Sequence, residues 1–402
     1  MSTPPAPPRR YRVLFHIRQI GVGGIENALL GWLRALDRNQ FDVDVSVALP
    51  TRELDVYQQR LPQDVTLHTL LAPGALVSLH QRRRDHALSA GGRMLLGMGM
   101  ALRGRREIHA RLRTLAAQYD ILVDFDLTLR KAVASMPVPV VGVRHFAFWP
   151  RRTAKARRVG ADLARYDGVA MLNPTMQAQA RGLYGDALRA VFELPNAFDL
   201  ESMRRQAVRD GPPDIAGEYV VCVARLDMRT KGLDLLLSAW ARLKRERPDL
   251  PYRLVLVGEG PDRAALEARC AQLGIGDAVL FTGVQRNPFR WMRWARALVL
   301  ASRHEGSPNV LIEAMAMGCV PVSTDCPVGP RDLLEGGRIG LLVPVDDETA
   351  LTQALVRAVT DETLRRESVA AGLARAAGFG VAASNQRFLA MTRQLVEARH
   401  SR

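Results

Sequence analysis

The sequence predicts an α/β protein built of two facing, doubly wound parallel-sheet (Rossmann-like) domains. Three observations lead there. Short apolar runs alternate with longer stretches of helical spacing along nearly the whole chain, the pattern of parallel strands covered on both faces. The chain has 402 residues, more than one hydrophobic core usually holds. Near its middle the alternation breaks at LPNAFDL (194–200) and RDGPPDIAGE (209–218), rich in Pro, Gly and Asp, before a fresh strand begins at Tyr219.

In the first half the expected strands are RVLFHI (12–17), VDVSVAL (43–49), VTLHTL (65–70), ILVDF (121–125), VVGVR (140–144) and GVAML (168–172). NALLGWLRALD (27–37) is a helix with Leu29, Leu33 and Leu36 on one face. In the second half the strands are YVVCVAR (219–225), YRLVLVG (252–258), AVLFTG (278–283), ALVLAS (297–302) and VPVST (320–324), with helices such as GLDLLLSAWARLKRE (232–246) between them. The last segment, 384–402, is an amphipathic helix. The expected organisation is a disordered tail at 1–10, an N-terminal domain at 11–197, a linker at 198–217, a C-terminal domain at 218–383 and the final helix. Ligands of such sheets bind beyond the carboxyl ends of the strands, so two of them facing each other make a cleft.

Composition narrows the class. The chain is 48% hydrophobic and 24% charged, as globular proteins are. Cys222, Cys270, Cys319 and Cys326 form no CxxC pair, which reads as reduced thiols of a cytoplasmic protein rather than a disulfide frame or zinc site. No apolar run approaches the 18 residues of a membrane span, and MSTPPAPPRR lacks the apolar core of a signal peptide. Net charge is +15, with 28 Lys and Arg against 17 Asp and Glu in residues 1–200. Such an excess suits an anionic partner. Nucleic acid fits poorly, because the basic runs lack interleaved aromatics and no binding module is visible.

The polar residues with chemical promise in the second half all follow strands. VCVAR ends in Arg225, with Lys231 six residues on; LVLVG runs into Gly258, Glu259 and Gly260; VLFTG ends in Gly283; LVLAS runs into Arg303, His304 and Glu305. Arg and Lys at one sheet edge can neutralise a diphosphate. The turn SPNV opens a helix expected at 310–317, whose first N–H groups make an anion site. Glu313, placed three or four residues into that helix, can accept bonds from ribose hydroxyls, with Glu305 across the turn from it. A carboxylate in a first turn also has a purely structural use, favourable interaction with the helix dipole.

The combination R-x5-K-G, VGEGPD and EGSPNVLIEAMAMGCVPV resembles the GT-B glycosyltransferases of family GT4, which are retaining nucleotide-sugar transferases. The resemblance runs from GGIE near the N-terminus to the final helix and is most specific in the second half. It implies that Arg225 and Lys231 meet the donor diphosphate, that Glu305 contacts the transferred sugar and that Glu313 holds the ribose. Pro308, Asn309, Val310 and Leu311 match the turn whose backbone meets sugar and phosphate. Gly258, Glu259, Gly260 and Gly283 line the nucleotide pocket, and Gly23 and Gly24 match a glycine loop closing on the diphosphate. Many members have Phe-Gly after the first Glu-Gly; here Ser307, Pro308 and Asn309 follow, which leaves the donor sugar open.

The resemblance further implies same-face attack, with the leaving phosphate taking the acceptor proton and the basic pair stabilising it. His145, in VVGVRHFAFW, follows a strand of the acceptor-binding first half; it is a catalytic candidate beside Glu305, Arg225 and Lys231, or a loop histidine bonded to backbone. The last helix would pack back on the first domain. The expected function is transfer of a hexosyl unit to a lipid-linked glycan in surface polysaccharide or lipopolysaccharide assembly. The alternatives are a nucleotide-sugar epimerase of the same fold and a non-catalytic nucleotide-sugar binding protein.

Two motifs have rival readings. GVGGIE follows a strand and opens a helix as a dinucleotide fingerprint does, but Glu26 replaces its third glycine. Asp124-Phe125-Asp126 has the D-x-D form of a metal site. It reads as a strand-end pair of acids, structural or acceptor-facing, without metal, and no cofactor or metal is expected anywhere in the site. Finally, residues 76–113 hold nine Arg and two acids around MLLGMGMAL (94–102), and Ile108, Leu112 and Leu115 share a helical face. This reads either as a solvated face or as a basic amphipathic surface for peripheral contact with the anionic inner membrane. RRTAKARR (151–158) is a second basic run, placed to meet a pyrophosphate-linked acceptor.

Overall fold

The computed structural model describes residues 9–21, 23–51, 53–72, 74–84, 89–148 and 153–401. Of the expected tail, residues 1–8 lie outside the described residues, as do 151 and 152 of the second basic run. The chain forms two compact units, the first running to Phe198 and resuming at Val381, the second spanning Asp199–Gly380.

The first unit holds seven parallel strands: β1 (Tyr11–Gln19), β2 (Phe41–Leu49), β3 (Leu67–Thr69), β4 (Ile121–Asp124), β5 (Val140–Arg144), β6 (Gly168–Met171) and β7 (Val191–Glu193), in the order β3-β2-β1-β4-β5-β6-β7. The second holds six: β8 (Tyr219–Val223), β9 (Arg253–Val257), β10 (Val279–Gly283), β11 (Ala297–Leu300), β12 (Val320–Thr324) and β13 (Leu341–Val343), in the order β10-β9-β8-β11-β12-β13. Every pairing is parallel. In each sheet the chain reverses direction of travel once, between β1 and β4 and between β8 and β11, and these reversal points are where open α/β sheets leave room for ligands.

The strand runs are apolar because both faces are covered. Val13, Leu14 and Phe15 of β1 and Val220 and Val221 of β8 are fully or almost fully buried. The helix Leu233–Glu246 buries Leu236, Leu237, Ala239, Trp240 and Leu243 on the second sheet.

The final helix, Val381–His400, belongs to the first unit. Phe388 is fully buried against Phe15, Trp32 and Phe41, with centroids 5.9, 5.3 and 5.3 Å away. Burying such a ring contributes roughly 1.5–3 kcal/mol. Asn385 finishes the helix Gly24–Ala35: its amide donates to the Ala35 carbonyl (2.6 Å) and its oxygen accepts from Asp37 N–H (2.7 Å).

Three sequence expectations are corrected. The linker 198–217 is not coil throughout: Leu200–Arg209 is a helix, capped by Asp199, whose side chain accepts from Ser202 N–H at 2.9 Å. Leu200, Met203 and Ala207 recur at helical spacing and are buried, so packing outweighs the Pro- and Gly-rich flank. The edge strands β7 and β13 were not expected; each has three residues, too short for a periodic signal. β3 is also shorter than the run 65–70 suggests.

Candidate donor site and the acids of the first unit

In the second unit the β8 loop is built around Asp227. Its carboxylate caps the turn Met228–Lys231 by accepting from Thr230 N–H (3.1 Å), and it pairs with Arg225, whose side chain is 63% exposed. Gly232 ends the turn in the left-handed region at φ 59°, and a Cβ there would meet the Ala301 carbonyl at 2.0 Å. The turn is therefore pressed onto the end of β11. Lys231 Nζ lies 2.7 Å from Glu305 Oε1, and Ser302 Oγ donates to the same oxygen at 2.6 Å. This pair bridges the loops of β8 and β11, across the reversal point of the sheet.

Arg303 fixes that bridge. Its N–H donates to the Thr230 carbonyl (2.9 Å), its guanidinium donates to the Met228 carbonyl (2.8 Å), and it is bidentate to Asp234 (2.9 and 2.8 Å) while also reaching Asp346 (2.7 Å). These carboxylates hold its pKa well above the ordinary value. From sequence, Arg303 is expected at this sheet edge without a specific role, and Ser302 is given none. The available signal was the capping pattern of Asp227 with Thr230, which announces a fixed turn before Lys231.

The glycines expected to line the pocket hold two loops together. Gly258 sits at φ 139°, where a Cβ would meet the Ala224 carbonyl at 2.0 Å, and a Cβ on Gly260 would meet the Leu226 carbonyl at 2.3 Å. Leu226 N–H donates to Glu259 O (3.0 Å) and Asp262 N–H to Leu226 O (3.1 Å), so the β8 and β9 loops run backbone on backbone. Gly283, at φ 70°, faces the Glu259 carboxylate, which pairs with Arg263.

The helix after Pro308 runs Asn309–Met317, one residue earlier than expected. Glu313 is its fifth residue, and the first turn contains no acid. Helix-dipole effects fade beyond the first turn, so that structural use does not account for Glu313. Its carboxylate has no hydrogen-bond partner among the described residues, and burial pushes its pKa up to about 7. Leu311 is core and Pro308 is buried, so their contribution to a ligand is through backbone. Ser307, where the sequence departs from the family pattern, has a buried hydroxyl without a hydrogen-bond partner among the described residues.

In the first unit, Gly23 caps the helix Gly24–Ala35 in extended backbone. Glu26 folds back on this loop, accepting from Gly21 N–H at 3.0 Å, which explains why a carboxylate stands where a dinucleotide fingerprint has glycine. His145 Nε2 is 2.7 Å from the Phe125 carbonyl, with its ring 4.7 Å from the Phe125 ring. A carbonyl only accepts, so Nε2 carries the proton and Nδ1 the lone pair. Burial pushes its pKa down to about 4, so the ring is neutral at pH 7. The backbone-bonded arrangement is thus the one found. His16 is buried against Ser46 Oγ at 3.0 Å, and His304 is exposed.

Asp124 is fully buried at the end of β4. It accepts from Thr128 N–H (3.1 Å), Leu129 N–H (2.7 Å) and Tyr166 Oη (2.6 Å). Asp126 accepts from Arg18 N–H (2.9 Å) and Thr128 Oγ1 (2.9 Å). These acids tie β4 to its neighbours, and among the described residues no group of three His, Cys, Asp or Glu is placed to hold a metal ion. Asp124→Ala strands the buried N–H of Leu129, the part-buried N–H of Thr128 and the Tyr166 hydroxyl, so it should cost roughly 3 kcal/mol. Chemical denaturation should show this loss while the structure of the second unit, read by its own unfolding transition, stays unchanged; an equal loss there would contradict a role local to β4.

With this geometry in hand, three comparisons place the chain. The family model described as glycosyl transferases group 1 matches residues 217–361, nearly the whole six-stranded unit. A Campylobacter jejuni N-acetylgalactosamine-N,N'-diacetylbacillosaminyl-diphospho-undecaprenol 4-alpha-N-acetylgalactosaminyltransferase is 36% identical over 43% of this chain and 45% of its own length. A Mycobacterium tuberculosis phosphatidyl-myo-inositol mannosyltransferase is 31% identical over 48% of this chain and 50% of its own length. The matched stretch thus spans about half of these relatives. Anabaena HepE, solved with UDP and glucose, superposes with a TM-score of 0.72 over 96% of this chain and all of its own, at 19% identity, a likeness of fold. The chain has the GT-B fold of two parallel-sheet α/β units, and its second unit resembles the glycosyl transferases of group 1. Its group 1 signature resides in the second unit, where the loops of β8, β9 and β11 meet.

Proposed function

We propose that the chain transfers a hexosyl unit from a nucleotide-diphosphate sugar to a lipid-linked glycan, with retention and without metal, at the cytoplasmic face of a membrane whose anionic surface it touches. The observation that carries this reading is the Lys231–Glu305 pair across the reversal point of the second sheet, with an unpartnered acid, Glu313, on the helix that follows. On this reading Lys231 and Arg225 take the diphosphate, Glu305 is released to the sugar and Glu313 accepts from the ribose. The bond from C1 to the phosphate oxygen breaks, the acceptor oxygen bonds C1 on the same face, and its proton passes to the departing phosphate. The protein supplies position and charge stabilisation. His145, neutral with Nδ1 as acceptor, orients a hydroxyl rather than donating a proton. The undecaprenol-linked and phosphatidylinositol-linked acceptors in the names of the relatives support the lipid-linked reading.

Glu313 gives the test a distinctive sign. Its folded pKa lies above the unfolded value, so the stability it contributes is full below about pH 4.5 and is lost as pH rises through about 7. Glu313→Gln should therefore stabilise the ligand-free protein by roughly 2–3 kcal/mol at pH 8 while weakening nucleotide binding. Thermal shift with UDP, GDP and ADP, without metal, on both proteins reads the two effects together. A nucleotide at 100 times its Kd stabilises by about 2.7 kcal/mol. Shifts that require a divalent cation would move attention to Asp124 and Asp126. Interconversion of a nucleotide sugar without any acceptor would favour an epimerase, and binding without turnover a non-catalytic protein.

A further inference from the structure

We propose that the helix Ala90–Gly99 is the surface by which the first unit docks on an anionic bilayer, with Met94, Leu95 and Met98 entering the acyl boundary. The proposal rests on the lipid-linked acceptor reading for its purpose and on independent geometry for its place. Met94, Leu95 and Met98 are 67%, 63% and 50% exposed. At spacings of three and four residues they share one face of the helix. The opposite side is anchored: Leu96 is 2% exposed, and Leu76 of the preceding helix Ala75–Arg84 lies so close to Gly99 that a Cβ there would meet it at 2.4 Å. The helix is therefore held by one side and offers an apolar face on the other.

The neighbouring helix Arg105–Ala116 does not compete for this role. It buries Ile108, Leu112 and Ala116 in the protein, so the apolar face legible in its sequence is already covered. What it and its flanks offer is charge. Arg82, Arg83, Arg93, Arg103, Arg105 and Arg106 are exposed around the patch. Residues 74–84 and 89–106 contain no acid. An apolar helical face rimmed mainly by cations is the complement of an anionic lipid surface, where acyl chains take the apolar side chains and headgroup phosphates the guanidiniums.

The test uses the full chain and vesicles of phosphatidylcholine with or without phosphatidylglycerol, read by sedimentation at 0.15 M salt and again at higher salt. Wild type should partition at least tenfold more strongly onto the phosphatidylglycerol vesicles. The triple variant Met94→Gln, Leu95→Gln, Met98→Gln should lose at least tenfold of that partition at unchanged Tm. Arg105→Gln with Arg106→Gln should weaken it and flatten its salt dependence. Equal binding of the triple variant overturns the proposal, as does wild type that stays in the supernatant. A wild-type dimer that the triple variant converts to monomer, without vesicle binding, would make the patch a self-interface and overturn it too. No donor, acceptor or turnover enters the measurement, so its failure leaves the transfer reading standing, and the converse holds.

Discussion

On the proposed transfer reading, Lys231→Ala should lower the rate of glycosyl transfer by about 10²–10³-fold, the usual loss when one preorganised charge facing a developing oxyanion is removed. The structure adds a second effect. Glu305 is 10% exposed and takes Lys231 as its cation, at 2.7 Å, with Ser302 Oγ as its other donor. Without Lys231 that carboxylate is left short of a partner, at a cost of roughly 2–3 kcal/mol, between the values for exposed and buried pairs. The two effects separate experimentally. Lys231→Met with Glu305→Gln should recover much of the stability and none of the rate. On the proposed reading, in which Lys231 takes the diphosphate, the variant should also lose most of its preference for a nucleoside diphosphate over the monophosphate. Steady-state kinetics and binding of the two nucleotides check both points. Activity within tenfold of wild type would remove Lys231 from the diphosphate.

Gly258→Ala should be the most destabilising single methyl addition in the second unit. At φ 139° the backbone is outside the range of L side chains, and the new Cβ would lie 2.0 Å from the Ala224 carbonyl, a backbone atom with no rotamer to move. A cost of roughly 4 kcal/mol or more is expected, or a fall in Tm of roughly 10 °C for a unit of this size. Gly24→Ala is the control, since nothing lies within 4 Å of its Cβ position. Donor binding should fail in the first variant in proportion to unfolding. If Gly258→Ala keeps its Tm and still loses donor affinity, the glycine serves the ligand and not the loop packing.

The glycines show how far the sequence speaks. Their placement after strands was legible, and so was the two-sheet architecture, because buried parallel strands read as apolar runs. What the runs do not carry is purpose. Gly258 and Gly260 read as pocket-lining residues, and the structure adds that each is packed against a backbone carbonyl, of Ala224 and of Leu226. That contact joins residues over 30 positions apart and has no local signature. The partners of Arg303 were hidden for the same reason, since its carboxylates, Asp234 and Asp346, lie far away in the chain. Glu313 was found by its spacing to Glu305, but the reason to prefer function over helix electrostatics needed the true start of its helix at Asn309. The D-x-D acids were ambiguous until Tyr166 and the N–H groups of Thr128 and Leu129 were seen on Asp124. The amphipathic spacing of 108–115 was real, but periodicity does not tell whether an apolar face meets protein or lipid.

The return of the last helix to the first unit has a consequence for how the protein is made. Phe388 fills the space between Phe15, Trp32 and Phe41, and Asn385 closes the end of the first helix. On the ribosome, residues to Phe198 emerge with that socket open, and about 180 residues of the second unit follow before its plug appears. At 5–20 residues per second this is roughly 10–40 s during which the nascent first unit shows an aromatic hollow to the solvent. The second unit, continuous in the chain, can finish folding first. The nascent chain is therefore most exposed to aggregation and most in need of chaperone cover at its older half, and emergence of the returning helix, rather than synthesis of the first unit, sets when that half becomes native.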